Sequence, residues 1–193
     1  MGNVLLSFKP ADFLLKFTDD PEMISFFINK ITRSKTWLEM DRGVRSLESA
    51  RSYFTDKFRE RKPLLDFFFD NWMEIFIPIQ ENVQLLKDLN ENGYDCYYLS
   101  NFIEEAYEFV VRKFYFFSFF EGGIISALDK VIKPELAIYM YLMERYALNP
   151  NECIFIDDVR GFLSPAIKLG IRTIHYNPKS NLRQELNNLG ILI

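Results

Sequence analysis

Asp157 and Asp158 stand side by side after Cys153-Ile154-Phe155-Ile156, an apolar run that reads as a buried strand. A strand that stops in paired acids puts them at its carboxyl tip, where open α/β sheets bind ligands. Adjacent carboxylates repel each other unless a cation is near, so a hard metal such as Mg²⁺ is their natural companion. Aspartates are also common in solvated turns, and the pair alone does not separate these readings. Two further residues do. Ser100 follows the strand-like run Tyr94 to Leu99, and Lys133 sits just before a helical stretch. In a parallel sheet all of them fall on one carboxyl-end rim. A hydroxyl, an ammonium and a metal-binding acid pair around one crevice suit a phosphate. Ser100 and nearby backbone N–H groups donate to its oxygens, while Lys133 and the metal offset its charge. Singly, Ser100 reads as a helix cap and Lys133 as a solvated lysine; their order and spacing join them.

The elements that must position these residues begin with a short apolar start, Asn3 to Phe8, which resembles a strand end running into a loop. From about Ala11 to Phe76 the apolar spacing is helical and no strand is expected. One helix enters through Asp19-Asp20-Pro21, another starts at Ser46 as its cap, and a third follows Pro63 with a Leu/Phe/Trp stripe. The stretch Trp37 to Gly43 is expected to turn the chain. Such aromatic stripes are core packing far more often than a cofactor pocket. After Pro78, helix and strand alternate over short connections. Helices are expected at Asn82–Asn90, Glu104–Phe114, Glu135–Tyr146, Ser164–Leu169 and Asn181–Leu189. Strands are expected at Tyr94–Leu99, Gly123–Ser126, Cys153–Ile156 and Ile171–Tyr176. That alternation predicts a parallel sheet covered on both faces.

Composition narrows the class. Net charge is −4 with both signs interspersed, which gives no polybasic footprint for nucleic acid. No apolar run approaches the ~20 residues that span a bilayer, and the N-terminus carries no signal-peptide pattern. The aromatic run Phe114 to Phe120 reads as a buried loop-to-strand segment. Cys96 and Cys153 lie in apolar strand-like runs and read as buried free thiols of a reducing compartment, so a cytoplasmic location is expected. With a single histidine, Cys/His zinc binding is not expected. His175 ends a strand and reads as a rim residue, not a base. No Gly-x-Ser-x-Gly, P-loop or dinucleotide fingerprint occurs.

The order of motifs resembles the haloacid dehalogenase-like superfamily, in the branch with a helical cap inserted between its first and second motifs. Tyr98-Leu99-Ser100-Asn101 is similar to the second motif, Val131-Ile132-Lys133-Pro134 to the third, and Ile154 to Asp158 to the fourth. Gly161 to Ile171 resembles the helix and turn that follow, and Trp37 to Gly43 a recurring piece of the cap. The resemblance implies a Rossmann-like α/β core of residues 1–11 and 78–193 with a helical cap at 12–77. It also implies Mg²⁺-dependent hydrolysis of a small phosphorylated metabolite, with Asp157 and Asp158 holding the metal. Ser100 would bind the phosphoryl group, Asn101 shape the pocket, and Lys133 stabilise charge on nucleophile and phosphate.

The family's first motif begins with an aspartate that attacks phosphorus. Met1-Gly2-Asn3-Val4 resembles that motif after its aspartate, so the nucleophile is expected one residue before Met1 and none is assigned within the chain. Gly2 and Asn3 then belong to the substrate site. Gly2 stands where many phosphatases carry a second, acid/base aspartate, and Phe162 where an Asn often follows the fourth motif. The family's first strand lies between those ending at Leu99 and Ile156, so two unpaired strand edges are expected here. As written, the chain is expected to be inactive or impaired. The alternatives are a non-catalytic phosphate-binding or regulatory protein and a 2-haloacid dehalogenase-type hydrolase. The aromatic-rich surface leaves a homo-oligomer open.

Overall fold

The computed structural model describes all 193 residues, Met1–Ile193. Two short strands, β1 (Leu6–Ser7) and β2 (Ile77–Pro78), pair antiparallel and bracket a run of helices. These are α1 (Pro10–Leu14), α2 (Pro21–Phe26), α3 (Lys35–Asp41), α4 (Leu47–Lys57) and α5 (Lys62–Asn71). Each of α2, α3 and α4 starts on a side chain that fills an orphan donor of its first turn. Asp20 accepts from the Glu22 N–H, Ser34 from Trp37 and Ser46 from Ser49. Leu64, Leu65, Phe68 and Phe69 of α5 are buried at helical spacing, against Phe27, Trp37, Phe54 and Trp72.

The remaining elements alternate: α6 (Gln80–Glu91), β3 (Tyr97–Ser100), α7 (Glu104–Lys113), β4 (Gly122–Ile125) and α8 (Ser126–Asp129). Then come α9 (Leu136–Arg145), β5 (Ile154–Asp157), α10 (Arg160–Lys168), β6 (Arg172–His175) and α11 (Leu182–Asn188). β3 pairs parallel with β4 and β5 parallel with β6, and the two pairs share no backbone ladder. Side chains along β5 alternate between two layers, as a pleated strand requires. Ile154 and Ile156 pack with Leu85 of α6 and Leu182 and Leu186 of α11. Phe155 packs on the other face, where Ile138, Tyr139 and Leu142 of α9 also meet Leu99 and Ile124. Helix α9 thus ties the two strand pairs together through side chains.

Between β3 and β5 lies a cavity of about 520 Å³, lined almost wholly by apolar side chains. Tyr97, Tyr98 and Leu99 face it from one side, and Ile154, Phe155 and Ile156 from the other. These two strand edges are the unpaired ones expected from the sequence.

Four local expectations need correction. Trp37 to Asp41 is helical, and the chain turns only at Arg42-Gly43, because the Ser34 cap starts a helix that the apolar spacing then sustains. Tyr115–Phe119 forms a 3₁₀ turn and not a strand approach; its closely spaced rings stack on one another instead of alternating across a sheet. Residues before Leu6 fold back in a tight turn, with the Met1 carbonyl accepting from Val4, Leu5 and Leu6. Cys96 and Cys153 are free thiols but only half-buried. No helix is long and apolar enough to cross a membrane.

Candidate active site

The parallel register brings the strand ends into line. Ser100 is the last residue of β3, opposite Ile125, and Asp157 the last of β5, opposite His175. Lys133 reaches this rim from the loop between α8 and α9. Its ammonium donates to Asp157 Oδ2 at 2.6 Å, and both side chains are almost fully buried. The other Asp157 oxygen accepts the Val159 N–H at 2.8 Å, at the entry to α10. The Lys133 ammonium also lies 4.9 Å from the centre of the Phe162 ring and 5.6 Å from that of Phe155. Phe162 therefore faces the lysine as a cation–π partner.

Asn101 holds the lysine by its main chain. Its amide oxygen accepts the Lys133 N–H at 2.8 Å, and its amide nitrogen donates to the Lys133 carbonyl at 3.1 Å. This two-point clamp fixes the loop that carries the ammonium. Ser100 is buried, and its hydroxyl makes one long contact, 3.4 Å, to the Asn101 carbonyl. Its one O–H is held only by that long contact and can turn to an incoming anion.

The N-terminal turn reaches the same rim. Asn3, in a left-handed conformation (φ 54°), donates from its side chain to Asp158 Oδ2 at 3.1 Å and accepts the Phe8 N–H at 3.0 Å. Gly2 bridges to Leu6, and a Cβ built on it meets no atom within 4 Å. The Met1 amino nitrogen is enclosed beside Lys133, Asp157 and Asp158. Burial, helped by the Lys133 charge, pushes its pKa down to about 5 against the opposing pull of the two aspartates. His175, exposed at the end of β6, contacts the Asp158 carbonyl through Nε2 at 3.1 Å and is a rim residue.

Six of the seven residues singled out for the site thus meet at one end of the strands: Asn3, Ser100, Asn101, Lys133, Asp157 and Asp158, while Gly2 joins them only as the chain neighbour of Asn3. Asp157 and Asp158 offer hard oxygens, and no third His, Cys, Asp or Glu joins them to form a complete cage. That donor set fits Mg²⁺, which takes one or two carboxylates, retains water and accepts phosphate oxygens. One acid escaped the sequence reading. Asp41, at the end of α3, is drawn up to about 7 by burial, against the Lys133 charge that pulls it down. The only sequence signal was its place in the cap piece Trp37 to Gly43, with nothing to say which face it takes.

A buried Lys–Asp pair, a buried serine and a second carboxylate thus share one rim at the carboxyl ends of parallel strands, where α/β folds bind ligands. The family model for haloacid dehalogenase-like hydrolases matches residues 42–159, and the chain belongs to that family. Its structure is an α/β, Rossmann-like core with a helical cap. It is similar to a HAD-family enzyme of Bacteroides thetaiotaomicron solved with magnesium and inorganic phosphate. That likeness has a TM-score of 0.72 at 22% identity, over 96% of this chain and 95% of the other.

Among curated relatives, the sesquiterpene phosphatase astK of Aspergillus oryzae is 22% identical over 98% of this chain and 93% of its own length. The (S)-2-haloacid dehalogenase 4A of Burkholderia cepacia is 25% identical over 72% of this chain and 63% of its own. The chain spans only 6% of the length of mouse acyl-CoA dehydrogenase family member 10, to which 70 residues are 34% identical.

Proposed function

We propose that the protein is a Mg²⁺-dependent phosphatase of a small phosphorylated metabolite, acting in the cytoplasm through an aspartyl-phosphate. One observation carries this reading: the buried Lys133–Asp157 pair and buried Ser100 lie at the ends of parallel strands beside Asp158, which the Asn3 amide of the N-terminal turn reaches. An aspartate bonded to the Met1 nitrogen would meet the strand-tip crevice with its carboxylate and attack phosphorus there. Lys133 would hold the attacking carboxylate and a phosphate oxygen together, and lessen their mutual repulsion. Ser100 would donate to a second phosphate oxygen, while Asn101 keeps the lysine loop in place. Gly2 and Asn3 would line the pocket, with the Asn3 amide steadying Asp158. Asp157 and Asp158 would hold Mg²⁺, which when bound neutralises phosphate charge as a Lewis acid. The helices of residues 12–77 would act as the cap that closes over the substrate, and residues 1–11 and 78–193 as the core.

The 193-residue chain, without that carboxylate, is expected to bind phosphate and not turn it over. The test compares hydrolysis of an aryl phosphate with Mg²⁺ by two proteins. One is this chain, and the other carries at its N-terminus an apolar strand ending in Asp. Turnover by the extended protein alone, lost again on Asp→Asn, is the expected result. Turnover by the short chain would remove the aspartyl-phosphate from the mechanism. Phosphate binding without turnover by either would leave a non-catalytic phosphate-binding protein. The likeness to a haloacid dehalogenase makes 2-chloropropionate the companion substrate, since the same carboxylate attack displaces chloride. Release of chloride in preference to phosphate would replace the phosphatase reading.

A further inference from the structure

The reaction as described leaves Asp41 without a role, although its surroundings are built with care. The Asp41 carbonyl accepts the Ser126 hydroxyl, and that hydroxyl in turn accepts the Phe102 N–H at 2.9 Å. The Gly43 carbonyl takes the Lys130 ammonium at 2.6 Å, and Arg42 grips the Glu135 carboxylate with two nitrogens. These bonds fasten the end of α3 to the loop after β3, the start of α8 and the loop that carries Lys133. Gly43 is part of the fit. Its φ is +69°, and an added Cβ would lie 2.0 Å from the Ala127 carbonyl oxygen, a contact of main chain with main chain. Asp41 is therefore set against the rim of the site by fixed backbone.

Its carboxyl is unlike the other charged groups around it. Glu39 pairs with Arg45, Glu135 with Arg42 and Asp129 with Arg145, while Lys130 is engaged by the Gly43 and Ala127 carbonyls. The Asp41 carboxyl is half-buried, receives no hydrogen bond from the protein, and feels one charge, that of Lys133. The position that often carries an acid/base aspartate in this family is Gly2, which has no side chain to offer.

We propose that Asp41 is the proton carrier of this site, supplied by the cap in place of an acid at residue 2. The inference rests on the phosphatase reading above. As the phosphorus bond to the nucleophilic aspartate forms and the bond to the leaving oxygen breaks, the neutral Asp41 carboxyl gives its proton to that oxygen. The carboxylate left behind then takes a proton from the water that attacks the aspartyl-phosphate. Phosphate departs, and both aspartates return to their starting states. Because burial raises this acid to about 7, it is protonated below that pH and can donate. It loses the proton, and the ability to donate, as pH rises through the same value.

The test uses the extended, active protein with phenyl phosphate, whose leaving group needs a proton, and 2,4-dinitrophenyl phosphate, whose leaving group does not. In Asp41→Asn, kcat/KM for phenyl phosphate is expected to fall ~100-fold, and that for the dinitrophenyl ester less than about fivefold. The wild-type decline of the phenyl phosphate rate above pH 7 should vanish in Asp41→Asn and persist in Asp41→Glu. An unchanged thermal midpoint and Asp41→Glu activity guard against a folding artefact. Equal losses on both substrates, or an unchanged alkaline limb, would overturn the proposal and leave the phosphatase reading intact. An extended wild-type protein that hydrolyses neither ester would overturn both.

Discussion

At the scale of single residues, the Lys133–Asp157 pair does two jobs. It is the charge centre of the crevice, and it is an ion pair with both partners sheltered from water. Desolvation makes such a pair weak as a source of net stability but expensive to break, because one buried charge is left alone. Lys133→Met is therefore expected to lose about 3–5 kcal/mol in urea unfolding. The double change Lys133→Met with Asp157→Leu should recover most of that loss while leaving phosphate binding abolished. A double variant as unstable as the single one would mean that the lysine stem, packed by Phe155 and Phe162, carries the stability and not the charge pairing. The acids and the lysine were legible in the sequence because they end or flank apolar runs whose period is short and unambiguous. The Asn101 clamp on the Lys133 backbone was not, since nothing local relates residues 32 apart in sequence.

At the scale of elements, the helical block shares a core with Phe102, Ile103 and Val110 of the α/β part, and the turn after α3 adds a backbone contact at Gly43. The glycine is needed twice over, for its positive φ and for the missing Cβ next to the Ala127 carbonyl. Gly93, at the end of α6, separates the two requirements: its φ is +80°, and a Cβ there meets nothing within 4 Å. Gly93→Ala is expected to cost about 1 kcal/mol from backbone strain alone. Gly43→Ala should cost clearly more, because the docking turn must also retreat from backbone that cannot give way. Thermal unfolding of the two variants checks this, and equal losses would mean that the turn is not held as tightly as its contacts suggest. Helices and strands of this kind were readable from period and caps, as Ser46 and Asp20 illustrate. The aromatic stretch after α7 was not: a run of Phe and Tyr fits a strand or a tight turn equally, and ring stacking decided it.

At the scale of the whole molecule, the question is what holds β3/β4 and β5/β6 together. Their ladders do not meet, and the apolar edges of β3 and β5 face a shared cavity of about 520 Å³. Parallel strands are normally buried on both faces and paired on both edges, yet Ile154, Phe155 and Ile156 are all partly accessible. An apolar strand placed there, continuing into the Met1 nitrogen, would complete both ladders. Each backbone hydrogen bond formed adds about 0.5–1.5 kcal/mol, and each large apolar side chain that fills the cavity about 1.5–3. The extended protein proposed above is thus expected to melt more than about 10 °C higher, at ~2–4 °C per kcal/mol for a chain of this size. The thiols report the same event locally. Cys96 and Cys153 both border the cavity, and burial holds both above the usual thiol range, Cys96 up to about 11. Maleimide should label both slowly in the short chain and at least ~10-fold more slowly in the extended one, as labelling then waits for local opening. A raised midpoint with unchanged labelling would place the added segment elsewhere on the surface and separate the cavity from the strand. Unchanged melting and labelling together would mean that the two strand pairs already form their final core around α9.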